Sequence, residues 1–290
     1  MARSDNKSVI FKGRIPGLGV TYFERNGKVY ARTSTRKTPE TQTFKQFVAR
    51  SRMRHAIALW NAFDPNGKPP IEATESLMPY NVFLKANAGL PTVYLTKAMS
   101  NNGCALLMPQ MVVCEGRLPE VECRFETLDN GRRVVMTNLN TRIPASEVRS
   151  LSIATNADAF HLLGLGKTNP QISQGSVLRF YRFEQQMNDG YPKVVVDCCD
   201  LVMEEDSRVM PTLSNWHFLS VGGHLAIADV DDENKGWAVV LYDPKKRYAS
   251  SQQMLTTCRL YEQFATAEAA KEAANSSGNV VGPIMLVPNE

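Results

Sequence analysis

Three shortages in the chain set limits before any motif is considered. No apolar run approaches the roughly 18 residues that a membrane helix needs, so no spanning helix and no membrane partner are expected. The first residues, Met1 to Lys7, are polar and lead into no apolar stretch of signal length, so no secretory signal is expected. Six cysteines are present: Cys104, Cys114, Cys123, Cys198, Cys199 and Cys258. They form no Cys-x-x-Cys pair and sit in strand-like runs, which reads as small core residues in a reducing compartment. Neighbours in a strand point to opposite faces, so Cys198 and Cys199 make a poor metal pair. Only four histidines occur, and no nucleophile elbow or Ser-His-Asp order stands out. A non-enzymatic protein is expected, with no catalytic residue, cofactor or metal.

Acidic residues are scarce in one place. Residues 1 to 55 carry 13 Lys/Arg against 3 Asp/Glu, whereas the remainder carries 20 against 26. The overall net charge of +4 therefore hides a cationic quarter attached to a mildly acidic body. Such a quarter suits nucleic acid, or the acidic body of the next copy of the chain.

With 290 residues, 43% hydrophobic and 21% charged, the chain can build two folded domains. It opens with a Gly/Pro-rich arm. Two strand-like runs, 20–24 and 28–32, follow around Asn26-Gly27, a strong hairpin signal. Thr38-Pro39-Glu40 then reads as a helix start, and no glycine or proline interrupts the next 24 residues. On this expected long helix, Phe44, Phe47, Val48, His55 and Leu59 form one apolar stripe. Ala49, Met53, Ala56 and Trp60 form another on nearly the opposite side, a pattern for packing against two bodies.

Beyond it, a turn-rich break at 64–70 leads to a short helix over 79–88. Strands are expected at 92–95, 104–107, 111–114, 120–126 and 132–136, then a linker with two weak helical pieces. A second set covers 177–183, 194–198, 216–219, 225–227, 237–242, 253–256 and 284–287, interrupted by a helix at 267–275. Alternation with Asn-Gly turns indicates antiparallel sheet. The expected fold is mainly β with one long N-terminal helix, its two antiparallel domains resembling a sandwich or partial barrel. The expected divisions are 1–37 (arm and basic hairpin), 38–140 (helices and first β domain), 141–174 (linker) and 175–290 (second β domain).

Several motifs fail on inspection. Leu163-Gly164-Leu165-Gly166-Lys167-Thr168 ends like a phosphate loop, but His161 stands where the first glycine belongs and Asn169-Pro170 follows, so a turn is expected. Asp229, Asp231, Asp232 and Glu233 lack the glycine and glutamate of a calcium loop. His217 and His224 have no third ligand at useful spacing. The live signal is the basic set Arg14, Lys28, Arg32, Arg36, Lys37, Lys45, Arg50, Arg52 and Arg54. Tyr22 and Tyr30 add base-stacking surfaces if they share a face. The interaction residues expected from this are Tyr22, Tyr30, Arg32, Arg36, Lys37, Arg50, Met53, Arg54 and Trp60.

Over about residues 10 to 125 the chain resembles a family of uncharacterised proteins from Bacteroidetes-type gut bacteria and their phages. The likeness rests on Gly19 to Tyr22, Asn26-Gly27-Lys28, Tyr30-Ala31-Arg32, Thr38-Pro39-Glu40-Thr41-Gln42 and Arg50 to Trp60. It continues through Met78 to Gly89 and Leu106 to Val121. Arg36-Lys37 stands where that family has Asn-Pro. The resemblance implies a non-enzymatic structural protein of a tailed phage or phage-like virion, associated with the head or head–tail region. It would be assembled in the host cytoplasm, with itself and other virion proteins as partners. Nucleic-acid binding through the basic quarter is the alternative.

Overall fold

A computed structural model describes residues 13–15, 20–25, 28–33, 44–72, 77–90, 92–94, 97–188, 191–210, 213, 215–228, 230, 234–256, 262–263 and 285–287. The chain divides into two compact units, Met1–Phe47 and Val48–Glu290.

In the first unit, β1 (Gly13–Ile15), β2 (Val20–Arg25) and β3 (Lys28–Thr33) form an antiparallel sheet in chain order. Arg25 pairs with Lys28 across the Asn26-Gly27 connection, the register of a two-residue hairpin.

Helix α1 spans Phe44–Ala62. The expected start at Thr38 to Glu40 lies outside the described residues. Helix α2 covers Pro79–Ala86, with proline at its first turn, where a missing N–H costs nothing. Strand β4 (Thr92–Tyr94) and the short helix α3 (Lys97–Asn101) follow. Residues 104–107, expected as a strand, form no regular element although all four are buried.

Then come β5 (Val112–Cys114), β6 (Cys123–Thr127), β7 (Arg133–Asn140) and β8 (Arg149–Leu151). A π-helical turn, Asp158–Leu162, precedes α4 (Leu165–Thr168). The long hairpin of β9 (Val177–Asn188) and β10 (Tyr191–Val202) comes next, followed by β11 (Phe218–Val221) and β12 (His224–Ile227). Gly222 and Gly223 join the latter pair with positive φ of 59° and 79°, as a tight primed turn requires. The remaining strands are β13 (Lys235–Asp243), β14 (Tyr248–Ala249), β15 (Gln252–Gln253), β16 (Leu255–Thr256), β17 (Glu262–Gln263) and β18 (Met285–Val287). The expected helix at 267–275 lies outside the described residues.

The body is organised around the sheet β10-β9-β13-β14. Residues alternate across its two faces, and both faces are buried. Tyr181, Phe183, Val194, Ala238 and Val240 join one cluster with Leu59, Trp60 and Phe63 at the end of α1, Phe83 of α2 and the 104–114 segment. Phe180, Cys199, Leu201, Trp237 and Val239 join a second cluster with Val135, Leu139, Phe218, Leu225 and Ile227 of the sheet β6-β7-β12-β11-β8. Phe63 is the hub of the first cluster, with ring centroids 5.6 to 6.4 Å from Tyr181, Phe183, Phe83 and Trp60. Offset and edge contacts of this kind each add about 0.5–1.5 kcal/mol beyond area burial. In the second cluster, Phe180–Phe218 and Phe125–Trp237, 5.0 and 5.7 Å apart, join the two facing sheets.

The chain is mainly β, and its sheets are antiparallel apart from the β17–β18 pair. Among the described residues no sheet closes into a barrel. The expected separation of 38–140 from 175–290 does not match the pairing. β7 pairs with β12, and β5 with β15, so strands of both stretches share sheets inside one unit. The expected linker at 141–174 contains β8, paired with β11, and the buried Ala159, Leu163, Leu165 and Ile172. These pairings join residues far apart in sequence, and local punctuation by proline and polar residues gives no sign of them. Close backbone approach adds a further tie at Gly116, where a Cβ would come within 2.0 Å of the Ala249 carbonyl oxygen.

Candidate interaction surface

The basic signal divides between an N-terminal sheet and the exposed side of a helix. In the sheet, register decides which residues share a side. Arg14, Thr21 and Arg32 form one cross-strand row, Phe23 and Tyr30 the next, and Arg25 and Lys28 the third. Alternation places these three rows on the same side. The other side holds Ile15, Val20 and Thr33, then Gly13, Tyr22 and Ala31, then Glu24 and Val29. One side thus carries four cationic positions and two aromatic ones with no carboxylate. The sheet's one acidic position falls on the apolar side.

This corrects an expectation. Tyr22 and Tyr30 do not share a side, because Tyr30 pairs with Phe23 and Tyr22 with Ala31. The aromatic partner of Tyr30, which is 43% exposed, is therefore Phe23, which sequence reading did not select. Arg25 was also missed. The Asn26-Gly27 turn was the signal that could have supplied both, since a two-residue loop fixes every pair behind it.

On α1, Arg50 is exposed, Met53 is 51% exposed and Arg54 half-buried. Trp60, expected at an interface, is buried. Its ring lies 5.2 Å from Phe83 and 5.8 Å from Tyr80. The two stripes expected on opposite sides do not serve two bodies in the second half of the helix. His55, Ala56, Leu59 and Trp60 are all buried in the same unit. At about 100° per residue these positions span one continuous arc, wide enough for a single core to cover. Arg36 and Lys37 lie outside the described residues.

Several polar side chains of the body are engaged structurally. The mostly buried segment from residue 104 to the start of β5 has backbone groups outside the sheet ladders, and three distant side chains pair with this stretch. Gln185 accepts from Leu107 N–H at 2.9 Å and donates to the carbonyls of Ala105 and Lys193, each at 3.1 Å. Asn87 accepts from Val112 N–H and donates to the Val112 carbonyl, both at 2.9 Å. His55 Nε2 lies 3.1 Å from Leu106 N and 3.2 Å from Leu106 O, so the neutral ring serves either as acceptor or as donor by tautomer. Burial holds the His55 pKa down at about 4, partly offset by the Leu106 hydrogen bond. A small cleft lined by Arg52, His55, Ala56, Leu59, Asn87 and Leu90 reaches two of these groups.

Two cations anchor the end of α1. Lys68 donates to the Trp60 carbonyl at 2.9 Å and sits 4.6 Å from the Trp60 ring centre, where the helix's negative end favours a positive charge. Arg179 holds Asp200 with two hydrogen bonds of 2.6 and 2.7 Å and donates to the Lys68 carbonyl at 2.9 Å. Burial pushes the Cys104 thiol up to about 11 and those of Cys114 and Cys123 to about 12, and raises Cys198 and Cys199 as well. Cys198 and Cys199 serve opposite faces of the central sheet, as neighbours in a strand do.

Gly164 opens the one-turn helix α4 with φ of 63°, and Thr168 donates to the Asn140 carbonyl at 2.6 Å, which makes the phosphate-loop look-alike a structural turn. His217 lies just before β11 and His224 begins β12, at opposite ends of one hairpin. The acidic cluster at 229–233 lies outside the described residues. Among the described residues no group of three or more His, Cys, Asp or Glu is placed to hold a metal, and no helix is long and apolar enough to cross a membrane. Comparison with protein-family models, curated proteins and solved structures gives no match.

Proposed function

We propose that this chain is a non-enzymatic structural protein that assembles through its N-terminal quarter. The setting implied by its resemblance is the virion of a tailed phage or phage-like particle, at the head or head–tail region. The observation that carries the reading is the two-sided N-terminal sheet. One side collects Arg14, Arg25, Lys28 and Arg32, and the other collects Ile15, Val20, Tyr22 and Val29. A three-stranded sheet needs its apolar face covered to be stable, and a basic face calls for an anionic partner. The exposed Arg50 and Met53 of α1 are further contact residues. In this reading the facing sheets form a sandwich-like body. Buried groups such as His55 and Gln185 support the reading because they are engaged with backbone rather than available for chemistry.

Light scattering on the full chain and on a chain lacking residues 1–35 tests it. Loss of self-association, or of attachment to purified particles, is expected on truncation. Unchanged assembly would overturn the reading.

A further inference from the structure

The basic side of the N-terminal sheet has an order as well as a charge. Its rows run cationic (Arg14 and Arg32 about Thr21), aromatic (Phe23 and Tyr30), cationic (Arg25 and Lys28). Successive same-side rows are about 6.7 Å apart along a strand, so the cationic rows lie about 13 Å apart with the aromatic pair midway. A protein partner with acidic side chains would need the charges but not the aromatic row between them. A single nucleic-acid strand uses both, since phosphates meet the outer rows while a base stacks on the middle one. A duplex keeps its bases stacked inside and offers the aromatic row nothing.

We infer that this side of the sheet binds single-stranded nucleic acid, with Arg14, Arg32, Arg25 and Lys28 on the backbone and Tyr30, with Phe23, under a base. The inference rests on the proposed role of the N-terminal quarter as the gripping part, and names its partner. Tyr30 is 43% exposed.

Titration of the full chain with a fluorescein-labelled 20-mer of oligo(dT) over a salt series is the test. Four phosphate contacts on a single strand give a log–log salt slope of about −3. Replacing one row, Arg14→Gln with Arg32→Gln, should flatten the slope by about 1.4. Arg25→Gln with Lys28→Gln should do the same, and serves if the first pair fails to fold. Tyr30→Ala should weaken binding roughly 5- to 150-fold with the slope unchanged.

No binding at low salt, equal affinity for a duplex of the same length, or a slope indifferent to both row variants would each overturn the inference. So would row variants that change the oligomeric state while oligo(dT) binding stays as before, because the side then belongs to another copy of the chain. If truncation abolishes assembly but the full chain never binds the oligonucleotide, the assembly reading stands and this partner alone falls.

Discussion

The sheet of residues 13–33 and the body beyond Val48 use polar residues in opposite ways. In the body, Gln185, Asn87, His55, Arg179 and Lys68 point at backbone carbonyls, amides or a paired carboxylate, and their chemistry is used up in holding the chain. In the N-terminal sheet, cationic positions line one side in register with aromatics. Under the proposed function, the body holds the shape and the N-terminal sheet meets the partner.

Breaking the body should be costly. Phe63, 2% exposed, touches four aromatic rings, and Phe63→Ala should lower unfolding free energy by about 3–5 kcal/mol in a denaturant titration. Gln185→Leu leaves Leu107 N–H and the Ala105 carbonyl buried without that partner, and should cost about 3 kcal/mol by the same measurement. Neither change should alter oligo(dT) affinity measured well below the unfolding transition.

The His55 clamp sharpens the comparison through pH. Its folded pKa of about 4 lies below the ordinary 6.5, so the unfolded chain binds the extra proton between these values. Its contribution is fully present above pH 6.5 and is lost as pH falls towards 4, up to about 3 kcal/mol in all. Below pH 4 both states are protonated and the loss stops. A His55→Gln chain should show a flatter stability profile over that window. The thiols of Cys104, Cys114 and Cys123 give a milder probe. Held above their usual range, they should stay unlabelled by a thiol reagent at pH 8 until the body unfolds, as peptide mass mapping would show. The smallest effect expected is at the end of α1. Lys68→Met removes the ammonium from the Trp60 carbonyl and ring, and should cost about 1 kcal/mol.

What could be read in advance follows from how local the cause is. Asn26-Gly27 marks its hairpin and, taken one step further, its register, which would have put Phe23 rather than Tyr22 beside Tyr30. The two strands of the β9–β10 hairpin are expected at 177–183 and 194–198, and they pair as near neighbours in sequence. The 104–107 segment reads as a strand because it is apolar, yet it forms none. Its backbone partners are side chains 51 and 78 residues away, at His55 and Gln185, and no window of sequence contains them. The stretch 141–174 looked like a linker for the same reason, since β8 is made a strand only by β11. Trp60 looked like an interface residue because periodicity shows where a face is, while the width of the core that covers it depends on the fold.

The most direct measurement is the denaturant midpoint and slope of the chain lacking residues 1–35, set against the full chain at equal concentration. If shape and grip are held by separate regions, the two unfolding curves of the body should agree to about 0.5 kcal/mol, the range of changes made away from a core. A loss of several kcal/mol, or a body that no longer unfolds cooperatively, would mean that the leading residues help to hold the fold.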